Sequence, residues 1–415
     1  MGGGRERGAR HLTLVPAAEL TPDHLRAALA GTTPLAVLPD GPPAVVAAAR
    51  AALRPEEPLE PGADLVVVTS GSTGPGRAVL LPAAALRASA AATHDRLGGP
   101  GAWLLALPVS AIAGLQVLCR SIVAGTRPEV LATGELLAAA VARMPAGPRF
   151  TSLVPTQLRR YLDAEAGALR AFDAVLVGGA ATDPDLLDRA RAEDVRVVTT
   201  YGMTETAGGC VYDGHPLDGV AVRVADGPGG GEPAGPGGGG PAGLGGGGPA
   251  GLFGGGPAGL GGGGIELSGP TLAMGYRLDP AGTAAAFVEG WFRTRDAGTV
   301  DADGRLQVAG RLDDVLISGG VNVSPAAVEA ALRTHPAVTD AVVFGRPDET
   351  WGQRVVAAVV PAPGAVPDLP DLRGWVADRL GHPAAPRQLH LLDALPLLHT
   401  GKPDRRAVAA LTPEV

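Results

Sequence analysis

The chain has 415 residues with a net charge of −8, and 46% of them are hydrophobic against 18% charged. That is enough for two or three domains with buried cores, and it excludes a disulfide-held miniature scaffold or global disorder. The acidic balance argues against nucleic acid or an anionic membrane surface as a partner and leaves small molecules.

The first eight residues lead into no long apolar segment. No uninterrupted apolar stretch approaches the roughly 20 residues of a membrane span, so a soluble, cytoplasmic chain is expected. Short apolar runs then alternate with alanine-rich helical segments. Strands are expected at residues 64–69, 102–107, 174–177 and 195–200, and helices at 82–97 and 184–191. This alternation implies an α/β sheet wound with helices on both faces. Cys119 and Cys210 are too few and too ill-spaced for a disulfide framework or a cysteine zinc site, which fits a reducing compartment.

Residues 227–264 hold 23 of the 63 glycines as a near-perfect octapeptide repeat at 237–244, 245–252 and 253–260. So little apolar surface cannot offset the entropy of ordering such a chain, so the repeat reads as a flexible insert. Residues 220–224 and 265–267 on its flanks read as strands, and the insert expands the turn between them. Beyond Arg311 the pattern changes. Ser324 caps a helix to Arg333 with Pro325 at its first position, strands follow at 338–344 and 354–360, and a helix at 371–380. The reading is a large N-terminal domain (residues 1–310) of mixed sheets layered with helices and a small α+β C-terminal domain (311–415).

Five segments carry chemistry. In the first, an apolar strand runs into Thr69, Ser70, Gly71, Ser72, Thr73, Gly74, Pro75, Gly76 and Arg77. Such a turn offers backbone N–H groups and four hydroxyls to one anion, with a guanidinium at its end. It suits polyphosphate, yet it lacks the Gly-Lys-Ser/Thr of a Walker A loop, and the same composition also makes plain loops. The second runs from Thr199 through Tyr201, Gly202, Thr204 and Glu205 to Thr206. Here a tyrosine can stack on a base, a threonine can reach a phosphate and a glutamate can hold Mg²⁺. The third, residues 290–298, places Asp296 to accept hydrogen bonds from a ribose diol. The fourth is residues 310–324. The last, residues 400–405, holds Lys402, the one lysine among 34 basic residues.

Together and in this order, over residues 64–405, these segments resemble the adenylate-forming superfamily of acyl-CoA synthetases, peptide-synthetase adenylation domains and luciferases. The resemblance implies a large and a small domain enclosing ATP and a carboxylic acid. The acid forms an acyl-adenylate with release of pyrophosphate, and the small domain then turns so that CoA can displace AMP. By the same resemblance Thr69 to Gly74 and Arg77 hold the β- and γ-phosphates. Gly179, Ala180 and Ala181 line the adenine site with Tyr201 and Gly202. Thr204 contacts the α-phosphate, Glu205 binds Mg²⁺, Asp296 and Arg311 take the ribose hydroxyls, and Asp313 is the hinge. Lys402 bridges acid and α-phosphate, a task for which a compact ammonium suits better than a planar guanidinium. The sequence departs from the family pattern at Gly76 and Arg77, where Pro-Lys is usual, at Arg295, where Gly is usual, and at Ala111, where many members carry His.

Within the superfamily, residues 113–121, 151–158 and 201–212 are similar to the branch that acts on o-succinylbenzoate in menaquinone biosynthesis. That implies activation of 2-succinylbenzoate and its thioesterification with CoA, and a homodimer is compatible with it. The substrate keeps one aromatic carboxylate, and a buried, unpaired carboxylate is costly. Arg120, the one charge in the apolar helical stretch 111–124, is the candidate counter-charge, with Ser152 and Thr156 as further pocket candidates. The alternative for Arg120 is a bond to helix-terminal carbonyls or to a structural carboxylate. Another acyl- or aryl-CoA synthetase, or a degenerate nucleotide-binding protein, are the competing readings of the whole chain.

Overall fold

The computed structural model describes residues 10–69, 76–225, 263–398 and 403–412. The chain divides into two units: Met1–Val222, Leu267–Arg293 and Leu392–Val415 form one, and Arg223–Glu266 with Thr294–Leu391 the other.

In chain order, the strands up to residue 216 are β1 (Thr13–Pro16), β2 (Leu35–Leu38), β3 (Leu65–Val68), β4 (Ala78–Leu81), β5 (Ala102–Leu105) and β6 (Glu129–Val130). They continue as β7 (Arg149–Leu153), β8 (Ala174–Gly178), β9 (Val197–Met203), β10 (Gly208–Tyr212) and β11 (His215–Pro216). The helices between them are α1 (Pro22–Leu29), α2 (Pro43–Leu53), α3 (Ala83–Arg96), α4 (Ile112–Val123), α5 (Leu137–Arg143), α6 (Pro155–Leu169) and α7 (Pro184–Ala192). The later strands are β12 (Ala221–Ala225), β13 (Gly263–Ser268), β14 (Gly275–Tyr276), β15 (Phe287–Val288), β16 (Trp291–Val300) and β17 (Leu306–Arg311). After α8 (Pro280–Ala286), which precedes β15, the chain ends with β18 (Leu316–Ser318), β19 (Val321–Val323), α9 (Pro325–Arg333), β20 (Val338–Asp348), β21 (Gly352–Pro361), α10 (Leu369–Leu380), β22 (Gln388–Leu391) and α11 (Arg405–Leu411).

The first unit holds two sheets where the sequence pattern suggests one. The strands at 102–105, 149–153, 174–178 and 197–203 share the order β11-β10-β9-β8-β7-β5-β6, with β5, β7, β8 and β9 parallel. β3 belongs elsewhere, in the order β1-β2-β3-β4-β14, parallel to β2 and antiparallel to β4. The cause is local: only nine residues separate β3 from β4, enough for an antiparallel neighbour but too few for the long crossover that a parallel neighbour requires. β5 and β8 are apolar runs, as strands covered on both faces must be, whereas β7 and β9 carry Arg149, Thr151, Ser152, Thr199 and Thr200; Trp103, Leu104, Phe150 and Val175 are buried among helices.

In the second unit, β19-β18-β21-β20 form an antiparallel sheet and β22 adds parallel to β21. Val328 and Leu332 of α9 and Leu372 and Val376 of α10 pack on Val343, Val355 and Val359. Ser324 accepts the Ala327 N–H at the start of α9, the cap that the sequence indicates. The hairpin β20–β21 runs beyond its apolar stretches to Asp348 and Gly352, because backbone pairing continues after burial ends. The flanks of the glycine-rich insert are strands: Arg223 and Glu266 form an ion pair at 2.6 Å, and a Cβ on Gly263 would overlap the Ala225 carbonyl. Residues 227–262 of the insert lie outside the described residues, while Gly263 and Gly264, expected to be part of it, already belong to β13.

Candidate active site

The phosphate-turn candidate begins at the neck of the β3–β4 hairpin. Thr69 N–H donates to the Arg77 carbonyl at 2.8 Å, and Arg77 N–H donates to Thr69 Oγ1 at 3.2 Å. Gly76 lies so close that a Cβ there would stand 2.1 Å from the Thr69 carbonyl oxygen. A side chain at position 76 would therefore not fit this hairpin neck without a shift. Ser70, Gly71, Ser72, Thr73 and Gly74 lie outside the described residues. Arg77 is placed with its guanidinium 4.9 Å from the centre of the Tyr276 ring.

β9 leads into a single 3₁₀ turn, Thr204–Thr206, whose geometry is heavily constrained. Thr206 Oγ1 accepts the Met203 N–H at 2.9 Å, Ala207 takes a left-handed φ of 51°, and Gln116 Nε2 donates to the Ala207 carbonyl at 2.7 Å. Thr204 is buried by this turn. Glu205 is anchored twice from residues 273–276: its carbonyl accepts the Ala273 N–H at 2.8 Å, and its Oε1 accepts the Tyr276 hydroxyl at 3.1 Å. Burial, and then the Glu205 charge, push the Tyr276 phenol up to about 12, so at neutral pH it is a hydrogen-bond donor. Tyr276 and Gln116 are absent from the sequence-derived site. Nothing local marks them, since both act through partners 71 and 91 residues away.

The adenine candidates sit at the carboxyl ends of β8 and β9. Gly178 pairs with Thr200, where a Cβ would meet Thr200 Oγ1 at 2.2 Å, and Gly179 has a left-handed φ of 81°. Gly179, Ala180 and Ala181 are exposed just past the strand end, while Tyr201, half-buried, continues β9 beside them. Ligands of parallel sheets bind at this edge, so these residues stand where a base can be received.

Arg120 is buried, 3% exposed, near the end of α4. It donates to Ser152 Oγ at 3.3 Å and to the Tyr212 hydroxyl at 3.2 Å, and its guanidinium lies 4.8 Å from the Trp103 ring centre. The Tyr212 hydroxyl meets Thr93 Oγ1 at 3.0 Å, and Thr93 in turn donates to the Ser89 carbonyl at 2.8 Å. With Arg120 as donor at one end, this chain has one direction: Tyr212 donates to Thr93. Neither alternative for Arg120 occurs among the described residues: its bonds go to hydroxyls, not to helix carbonyls or a carboxylate, and its Nε has no partner. Burial, and next the Arg120 charge, hold the neighbouring His94 below the usual imidazole range, so it adds no second cation near neutral pH. Ser152 joins the cluster, whereas Thr156 is half-buried in the first turn of α6.

In the second unit Asp296 and Arg311 are direct partners across β16 and β17. Asp296 is buried, and its N–H donates to Thr294 Oγ1 at 3.1 Å. Arg295 points to the opposite face of the strand and is exposed, so the replacement of the usual glycine does not crowd Asp296. Asp313 falls in a short 3₁₀ turn, Leu312–Asp314. Lys402 lies outside the described residues. Its flanks are anchored, by a bridge between Leu397 and Pro403 and by the Asp404 N–H donating to the Pro396 carbonyl at 2.8 Å. Ala111 precedes the first turn of α4 and supplies no capping side chain.

The fold and these motifs define an adenylate-forming enzyme, and comparison with known proteins agrees. Residues 14–241 match the AMP-binding enzyme family and residues 327–402 its C-terminal domain, and the chain belongs to this family. It is 45% identical over 367 residues to a protein of Mycobacterium tuberculosis named as a probable 2-succinylbenzoate–CoA ligase, covering 86% of each chain. It is 33% identical to the 2-succinylbenzoate–CoA ligase of Geobacillus kaustophilus, covering 84% of this chain and 69% of that one. Among solved structures, the o-succinylbenzoate CoA synthetase of Bacillus subtilis in complex with its acyl-adenylate intermediate shares the fold, with a TM-score of 0.70 at 23% identity over 96% of this chain and 82% of that one.

Proposed function

We propose that this chain is an acid–thiol ligase that adenylates 2-succinylbenzoate with ATP and transfers the acyl group to CoA, giving 2-succinylbenzoyl-CoA, AMP and pyrophosphate for menaquinone biosynthesis. The observation that carries the acid's identity is Arg120: a buried guanidinium with hydroxyl partners and no carboxylate among the described residues. Such a charge is expensive unless an anion arrives to meet it. An acid with a second carboxylate, retained on the aromatic ring, supplies that anion while its succinyl carboxylate reacts. The named ligases at 45% and 33% identity support the same substrate.

A carboxylate is a poor acyl donor because its leaving group would be oxide. In the first half-reaction its oxygen attacks the α-phosphorus and pyrophosphate leaves. In the second the CoA sulfur adds to the acyl carbon, AMP leaves and the thiol proton passes to solvent. The protein's work is positioning and charge neutralisation. In this reading Thr69 to Gly74 and Arg77 hold the outer phosphates, Thr204 the α-phosphate, Tyr201 and residues 179–181 the adenine, and Asp296 and Arg311 the ribose. Lys402 bridges the acid and the α-phosphate. Residues 311–415 form the mobile domain and Asp313 its hinge, in a cytoplasmic enzyme.

The donor set fits magnesium. Mg²⁺ is usually held by one or two carboxylates together with phosphate oxygens, and Glu205 offers one carboxylate whose ring partner also carries Arg77. Bound there, the ion would neutralise charge on the phosphates. Among the described residues no helix is long and apolar enough to cross a membrane.

Pyrophosphate release measured over a panel of acids, with and without CoA, tests the substrate. Turnover with 2-succinylbenzoate and none with benzoates lacking a second carboxylate is expected. Lys402→Ala should abolish release while ATP still binds, and full activity of that variant would overturn the mechanism.

A further inference from the structure

Tyr276 lies outside the five segments that carry the resemblance and touches two groups that the functional reading assigns to different tasks. Its hydroxyl donates to Glu205 Oε1 at 3.1 Å, and its ring lies under the Arg77 guanidinium at 4.9 Å. The residue is itself buried, 5% exposed. Its ring meets Phe287 edge-on, with centroids 5.9 Å apart.

The backbone leaves Tyr276 little freedom. Gly275 and Tyr276 pair with Leu80 and Val79 of β4, the strand that leaves the phosphate turn. The Tyr276 N–H donates to Thr283 Oγ1 at 2.9 Å, and the Arg277 N–H donates to the Ala78 carbonyl at 2.8 Å. Gly275, at φ 140°, comes so near Thr283 that a Cβ would stand 2.3 Å from its methyl group. The same segment reaches the other way, through the Ala273 N–H, to the Glu205 carbonyl. Residues 273–277 are thus bonded on one side to β4 and on the other to the turn that carries Glu205.

We propose that Tyr276 is a positioning residue that fixes the Glu205 carboxylate and the Arg77 guanidinium relative to one another, so that metal ligand and phosphate ligand are presented as one unit. The phenol engages one carboxylate oxygen and so restricts the rotation of the group that would hold a cation. The ring face holds the guanidinium by cation–π attraction and limits its rotamers. Without this bridge, each side chain would have to be ordered separately when Mg²⁺ and ATP bind. The proposal rests on the reading that Glu205 serves the metal and Arg77 the phosphates.

Calorimetric ATP binding, with Mg²⁺ titrated and with EDTA, tests it without turnover. Tyr276→Phe keeps the ring and loses the hydroxyl, and should raise the half-saturating Mg²⁺ about tenfold, the scale of one hydrogen bond to a charged group, while binding in EDTA is unchanged. Tyr276→Leu loses both contacts and should also weaken binding in EDTA by about threefold, the scale of an exposed cation–π contact. Thermal melting of both variants identifies any loss of fold, and Tyr276→Phe, which keeps the packing, decides the question. A wild-type Mg²⁺ dependence in Tyr276→Phe overturns the proposal. Glu205→Gln separates the two levels. If it shifts the Mg²⁺ dependence and Tyr276→Phe does not, only the positioning role fails; if Glu205→Gln shifts nothing, the metal assignment fails and the proposal with it.

Discussion

Among the described residues of the first unit two arginines are buried, and they are built in opposite ways. Arg277 has a side chain with no exposure, and every arm of its guanidinium is used. It donates to the carbonyls of Leu53, Pro58, Arg54 and Glu57 and forms a 2.8 Å ion pair with Glu60, whose other oxygen accepts the Leu278 N–H. Arg120 is as deeply placed, yet it has two hydroxyls, an aromatic face and the negative end of its helix. The first charge is neutralised by the fold. The second is solvated only in part, and the difference separates an arginine that holds structure from one prepared for a ligand.

Substitution by an apolar residue of similar size should expose this contrast. Arg277→Met leaves Glu60 and four carbonyls without their donor, and a loss of about 3–5 kcal/mol is expected in calorimetric unfolding. A change below about 1 kcal/mol would mean that the clamp on residues 53–60 is dispensable. Arg120→Met removes a charge that lacks a counter-ion, so stability should hold or rise. Its cost should appear instead in the KM for 2-succinylbenzoate, raised by about 100-fold, with the KM for ATP unchanged. Unaltered kinetics would return Arg120 to a structural role.

A smaller effect is expected from His94. Its folded pKa is depressed, so as pH falls through the unfolded value of about 6.5 the unfolded chain takes up a proton that the folded chain refuses. Stability should therefore fall between pH 7.5 and 5.5. His94→Gln should flatten the slope, leaving the similarly depressed His390 to supply the remainder. An unchanged slope would remove His94 from the account.

The sequence carries its strongest information where chemistry is local. The strands expected near 64–69, 102–107 and 174–177, the helices at 82–97 and 184–191 and the cap at Ser324 follow from apolar runs and turn residues within a few positions of one another, whereas β9 runs past the expected end at 200 to Met203 and β7 is not among the expected strands. Arg120 is visible as a lone charge in an apolar helix, but the hydroxyls that surround it come from β7 and β10, 32 and 92 residues later. Tyr276 and Gln116 were hidden for the same reason, since a neutral side chain gives no sign of a distant partner. The division of β3 from the other strands was equally illegible, because a short apolar run does not state whether its neighbour is parallel or antiparallel.

α4 carries Gln116 and Arg120 one turn apart on the same side, the first gripping the turn that bears Thr204 and Glu205, the second the hydroxyl cluster. A rigid helix joining those two points behaves as a gauge with a fixed step of about 6 Å between their Cα atoms along its axis. The separation of the two carboxylates in the acid is then selected along with their charge, since a longer or shorter spacer would bring one end home and leave the other out of reach.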